Sequence, residues 1–256
     1  MISEDIINKI YSTNTVVDEF NNTFPLHSNI DKRECEFLKV ILKDIKPIKT
    51  IEIGCAYGIS SLIICSMLEN NQNSFHTIID PHQSTEWKNI GIMNLKRAGI
   101  GFYEFLELPS EIALPKLLSE GKTYDFGLID GYHSFDQTLL DFYYLNRLIE
   151  VGGVIIIDDI SWPSINKFMR FIVNNYPCYR QIDQVEFKFT FKRNIFEIFV
   201  KSPLSIFTKI LPKKIANEIF SDKVIKKNKK LKLNSTMVAL KKIEKDNRSH
   251  HKFEDF

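Results

Sequence analysis

The chain has 256 residues, 44% of them apolar and 26% charged, with a net charge of +2. This is the balance of a globular protein with one well-buried core and some additions. It argues against a disordered chain or a large repeat array, and no apolar run approaches the roughly 20 residues that a membrane span needs. The near-neutral total hides an asymmetry, because residues 195–256 carry 15 Lys/Arg against 7 Asp/Glu while residues 1–194 carry 19 against 25. The first ten residues, MISEDIINKI, are acidic and amphipathic, which is not the pattern of a secretory signal and leads us to expect a cytoplasmic protein. The four cysteines are scattered without CxxC spacing, so neither disulfides nor a zinc site are expected.

In chain order, residues 1–48 read as helical, with Phe37, Val40, Ile41 and Ile45 at helical spacing, and form a cap that can close over a ligand. From Lys49 the pattern alternates. KTIEIG is a strand, Ile59 to Leu68 a helix, FHTIID a strand, Trp87 to Ala98 a helix, and YEFLEL a strand. Ser110 then opens a helix, YDFGLID is a strand, FDQTLLDFYYLNRLIE is an amphipathic core helix closed by Gly152-Gly153, and VGGVIIID is a strand. Five such βα units imply a mainly parallel sheet with helices on both faces. A helix follows from Pro163 to about Asn175, then a strand in QIDQVEFKFTF, and TMVALKKIE supplies the last strand. Between them, residues 195–234 are apolar and basic, broken into short helices by Pro203 and Pro212, and residues 247–256 read as a flexible tail.

Acids end the strands. In IEIGCAYGIS, Glu52 closes the strand, while Gly54 and Gly58 allow a tight turn and close approach of a ligand to the backbone. The spacing is ExGxxxG, with Ala56 inside it, and departs from the GxGxxG of dinucleotide sites. Glu52 at that place suits an amine-bearing ligand. Asp80, one unit later, stands where a carboxylate accepts from the hydroxyls of a ribose. Asp130 in LIDGYH and Asp158 in IIIDDI end two further apolar runs, each followed by a second reactive side chain, His133 or Asp159. Carboxylates gathered at neighbouring strand ends repel, and an all-oxygen cluster is the ligand set that Mg²⁺ prefers. The same acids have plainer uses: Asp130 in a turn with Gly131, Asp158 or Asp159 as a helix cap. Tyr132 and Trp162 flank this edge as an apolar wall, or belong to the core.

These motifs resemble the class I S-adenosylmethionine-dependent methyltransferases over about residues 49–160. Glu52-x-Gly54-x-x-x-Gly58 looks like their first motif and Asp80 like their ribose ligand, and Ser110 and Glu111 in LPSEIALPKL resemble the adenine-holding segment of catechol-type O-methyltransferases. DGYHSF followed by IIIDDI is most similar to the metal-dependent sugar and macrolide-sugar O-methyltransferases. The resemblance implies a Rossmann-like, mainly parallel seven-stranded sheet with a core over residues 49–194 and a last strand within 235–246. It implies S-adenosylmethionine held by Glu52, Gly54, Ala56, Gly58, Asp80, Ser110, Glu111 and Asp130. It also implies Mg²⁺ on Asp130, Asp158 and Asp159, and His133 as general base beside Asp130.

The expected activity is methyl transfer to a hydroxyl of a sugar or other small polar metabolite, and substrate identity stays open because no acceptor-binding motif is recognisable in residues 1–48 or 195–234. A metal-independent methyltransferase, an NAD-dependent enzyme and an interaction protein on a vestigial fold are the competing readings. The last would use residues 195–232 on an anionic membrane, although a homo-oligomer interface or a substrate lid accounts for the same apolar content. No module for specific nucleic-acid binding is present in the sequence.

Overall fold

The structure is a computed structural model and describes residues 2–68, 72–182, 231, 233, 235–249 and 251–256. The chain opens with α1 (Ile2–Thr13), an antiparallel pair of short strands, β1 (Thr15–Val17) and β2 (Thr23–Pro25), and α2 (Lys32–Ile45). The reading of residues 1–48 as helical is thus corrected by a two-stranded ribbon. Asp31 starts α2 as half of a capping box: its carboxylate accepts from the Arg33 and Glu34 N–H groups, and Glu34 accepts from the Asp31 N–H.

The core is β3 (Lys49–Ile53), α3 (Ile59–Leu68), β4 (Phe75–Ile79), α4 (Ile90–Arg97), β5 (Tyr103–Leu106), α5 (Ser110–Ser119), β6 (Tyr124–Ile129), α6 (Phe135–Leu148), β7 (Ile149–Ile157), α7 (Pro163–Asn175), β8 (Tyr179–Gln181) and β9 (Val238–Lys242). The strands form one seven-stranded sheet in the order β5-β4-β3-β6-β7-β9-β8, parallel from β5 to β7, with β9 antiparallel to both of its neighbours. Alternate residues of a strand face opposite sides, so Val154 and Ile156 join the core under α1 to α4, while Ile155 and Ile157 join the core under α5 to α7. Burial on both faces explains why β7 reads as an unbroken apolar run. The expected fold is the observed one.

Two boundaries differ from expectation. Lys88 and Asn89 are both left-handed, with φ of 53° and 58°, so the fourth helix starts at Ile90 rather than Trp87. Gly152 and Gly153 do not cap α6. The helix ends at Leu148 and passes directly into β7, which contains both glycines and shifts register against β6 there. At this end of α6 the buried Lys242 ammonium donates to Asn146 O at 2.5 Å and to Ile149 O, just past the helix, at 2.8 Å.

Residues 247–256, expected as a flexible tail, lie against α7 where they are described. Arg248 stacks 3.3 Å over the Tyr176 ring, Asn175 exchanges hydrogen bonds with the Glu254 backbone, and the Phe256 ring stacks on Phe135. The strand expected beyond Ile182 lies outside the described residues, as does nearly all of 195–234 with its proposed membrane contact. No helix among the described residues is long and apolar enough to cross a membrane.

Candidate active site

The site begins where β3 and β6 part company, the point at which strand order reverses and ligands gather in open α/β sheets. Gly54 leaves β3 at φ +90°, donating its N–H to Ile79 O at 2.9 Å, and a Cβ there would stand 1.9 Å from the backbone oxygen of Asp130. Two strand ends are therefore in contact through a position that only glycine can occupy. Ala56 also lies in the left-handed region at φ 45°, an unfavourable state for a residue with a Cβ that tight turns at functional sites often carry.

Glu52 has no exposed surface. One oxygen accepts from Ser61 and faces His76 Nε2 at 3.3 Å, with Thr50 behind that imidazole at 2.8 Å; the other, Oε1, is buried without a partner. The carboxylate thus stands behind the turn, against α3 and β4, rather than on an open ligand-facing side. Its partner is His76, brought from β4. Asp80 is likewise turned inward. Its Oδ2 accepts from the Cys55 and Ala56 N–H groups at 3.0 and 2.9 Å and from Gln83 at 3.0 Å, and its Oδ1 accepts from His82 N–H at 2.8 Å. Asp80 holds the glycine turn in shape, and little of its accepting capacity is left for ribose hydroxyls. Asp80→Asn, which replaces one of these acceptors with a donor, is expected to cost about 2 kcal/mol or more of stability, read as a shift in the urea midpoint.

At the ends of β6 and β7, Asp130, His133 and Asp159 come together with one ligand atom each lying within 4.8 Å of the others. Asp159 adopts φ 55°, which turns it from the line of β7 toward His133, and its Oδ2 lies 3.3 Å from His133 Nε2. Asp158 is not in that group. It is buried, with Oδ1 accepting from the Asp159 N–H at 2.7 Å, and the carboxylate of Glu34 acts on it from the N-terminal cap. Burial raises the Asp130 carboxyl well above the ordinary range, and the charges of Asp158, Asp159, Glu52 and Glu34 add to the shift. Burial raises that of Asp158 as well, reinforced by Glu34. The His133 loop is anchored from two sides: Ser134 caps α6, and Ser164 of α7 donates to His133 O at 2.7 Å. Trp162 packs on His133 with ring centroids 5.7 Å apart, and Tyr132 is 78% exposed, so neither belongs to the core.

A cavity of about 10 Å³ adjoins Asp130 and is lined by Ser28, Asn29, Ala56, Tyr57 and Ser60 among others. Ser28, Asn29, Tyr57 and Ser60 were missed by sequence reasoning. Ser60 follows Gly58 by two residues, and Asn29 precedes the capping box of α2, whose Asp31-x-x-Glu34 spacing was the available signal for the end of a covering loop. That loop is latched to the turn, since His27 Nε2 meets the Tyr57 hydroxyl at 2.7 Å and both rings pack on Trp87. Ser110 and Glu111 begin α5 behind Pro109, which offers no side-chain cap, and Gln137 of α6 donates to both, at 2.8 and 3.3 Å.

The model of a methyltransferase domain family matches residues 51–160. A caffeoyl-CoA O-methyltransferase of Stellaria longipes is 26% identical over 163 residues, 59% of this chain and 64% of that protein. A probable caffeoyl-CoA O-methyltransferase of Dictyostelium discoideum is 30% identical over 132 residues, 50% of this chain and 54% of that one. The chain thus spans less than two thirds of the length of these relatives. Among solved structures, an O-methyltransferase from Bacillus cereus in complex with SAH superposes with a TM-score of 0.56 at 17% identity, covering 71% of this chain and 82% of that one. The family match covers less than half of the 256 residues, so over residues 51–160 the chain is similar to a methyltransferase domain, and with the solved O-methyltransferase structures it shares the fold.

Proposed function

We propose that the protein transfers a methyl group from S-adenosylmethionine to a hydroxyl of a small polar metabolite, a sugar being the class we favour, with a divalent cation such as Mg²⁺ at the acceptor side. The observation that carries this reading is the convergence of Asp130, His133 and Asp159 at the ends of β6 and β7, beside the Gly54 turn. The residues fit both groups. The tight turn at Gly54, packed on Asp130, and the left-handed Ala56 after it suit a cofactor whose amino-acid end enters against backbone, with Glu52 and Asp80 bracing that turn from behind. Two carboxylate oxygens beside an imidazole, with a further buried acid at Asp158, form a donor set for a hard divalent cation.

When bound, S-adenosylmethionine supplies an electrophilic methyl group and the cation holds negative charge at the acceptor oxygen. The chain's own residues do the rest. Asp130 and Asp159 would hold the cation, with Asp158 supporting them from the same strand end. His133 takes the hydroxyl proton, and Asp159, 3.3 Å from its Nε2, orients the imidazole. Trp162 and Tyr132 give the acceptor an aromatic rim, a surface that sugars and phenols both pack against. Ser28 to Ile30, latched through His27 and Tyr57, keep water from the methyl-bearing end.

Titration calorimetry with S-adenosylhomocysteine, followed by methyl-transfer assays on a panel of sugars and phenols with and without EDTA, tests this reading. We expect binding, transfer to a sugar hydroxyl, and loss of turnover on chelation with recovery on added Mg²⁺. Undiminished turnover after chelation removes the cation from the mechanism, and absence of S-adenosylhomocysteine binding removes the whole reading.

A further inference from the structure

Asp141 lies one turn into α6 beyond Gln137, only 1% exposed, between the start of α5 and the turn that carries Asp130 and His133. Gln137 Nε2 stands 3.5 Å from its Oδ1 and 2.8 Å from the Ser110 hydroxyl, and a Cβ on Gly131 would sit 3.8 Å from its Oδ2. The charged neighbour that acts on it is Glu111, of the same sign. An apolar residue would fill this place in a helix interface at lower cost, because a buried carboxylate without a cation is expensive. Burial accordingly pushes its carboxyl up to about 6, against the lowering effect of the Ser110 and Gln137 hydrogen bonds.

What the acid does is fix directions. With an oxygen lone pair taken by Gln137 Nε2 at 2.8 Å, and Gln137 itself aimed at Asp141 at 3.5 Å, the Ser110 side chain is held from α6. Gln137 is held in turn by Glu111 at 3.3 Å, so the first turn of α5 is keyed to α6 through three side chains. We propose that Asp141, with Gln137, is a positioning residue for the cofactor end of the site, locking Ser110 and Glu111 in register with the Gly131 turn. This rests on the proposed use of S-adenosylmethionine.

The test is titration calorimetry of the full chain with S-adenosylhomocysteine, comparing wild type with Asp141→Asn and Gln137→Met, together with steady-state kinetics. In each variant Kd for S-adenosylhomocysteine and KM for S-adenosylmethionine rise about 5- to 10-fold, the scale of one directed hydrogen bond, while kcat and the acceptor KM stay within about twofold. The Asp141→Asn variant is checked for folding by thermal unfolding, and the less buried Gln137→Met decides the matter where that variant does not fold. The double variant loses no more than the larger single loss, as expected of one network. A Kd within about twofold of wild type in the folded variants overturns the proposal, as does a fall in kcat with Kd unchanged. Wild type that fails to bind S-adenosylhomocysteine at all overturns the functional reading and the proposal with it.

Discussion

On the proposed reading, Mg²⁺ stabilises the folded protein strongly at pH 8 and weakly at pH 5, and Asp130→Asn abolishes both that stabilisation and, by about a hundredfold or more, the turnover. The pH dependence follows from the buried acids. Asp130 and Asp158 have carboxyls raised by burial and by neighbouring carboxylates, so the folded state keeps protons that the unfolded chain, with ordinary carboxyls near pH 4, has already released. Between those limits the folded state binds more protons, and without a cation its stability is greatest in acid and declines as pH rises through the folded values. A cation that binds the ionised forms displaces the protons and reverses the decline. Thermal unfolding across pH 5 to 8, with and without millimolar Mg²⁺, reads the effect, and a Mg²⁺ increment independent of pH would contradict the assignment. Asp130→Asn keeps shape and hydrogen-bonding capacity while removing a charge, so loss of the Mg²⁺ response without loss of the fold separates a ligand from a brace.

Gly54→Ala should be the most damaging single methyl in the chain. Its Cβ would lie 1.9 Å from Asp130 O and 2.7 Å from the carbonyl carbon, so the ends of β3 and β6 must separate or the turn must unwind. Contacts of that kind involve backbone on both sides and have no rotamer to yield, and a loss above about 4 kcal/mol is expected. Gly121→Ala is the control, because Gly121 also has a positive φ, +68°, but nothing lies within 4 Å of the Cβ position. It should cost only about 1 kcal/mol, the backbone penalty alone. Urea unfolding of both variants distinguishes close approach from φ as the reason for glycine, and similar losses at the two positions would refute the account.

Much of this was legible in the sequence, for physical reasons. Strands buried on both faces must be apolar throughout, so β3, β4, β6 and β7 were visible as runs, and the acids at their ends stood out against them. The direction in which each acid faces was not. Asp80 and Glu52 look inward because backbone N–H groups and His76 reach them there, contacts made across 24 to 25 residues of chain that no local pattern encodes. Asp158 and Asp159 are adjacent, yet the left-handed φ at Asp159 sends the two carboxylates apart, and that turn has no glycine to announce it. The N-terminal ribbon was hidden for a different reason: strands of three residues carry too little alternation to be told from loop.

The ammonium of Lys242 closes the end of α6 from almost a hundred residues away, and β9, to which it belongs, is also the strand that joins β8 to the rest of the sheet. During synthesis, then, α6 waits uncapped and β7 waits with an open edge, Ile157 lacking its partner until Val238 has left the ribosome. The slow step in folding should be arrival of this penultimate piece, a high-contact-order event, and the nascent chain before it presents an apolar strand edge to whatever is near. Chaperone dependence and solubility on truncation should therefore change abruptly at residue 242, well past Asp159.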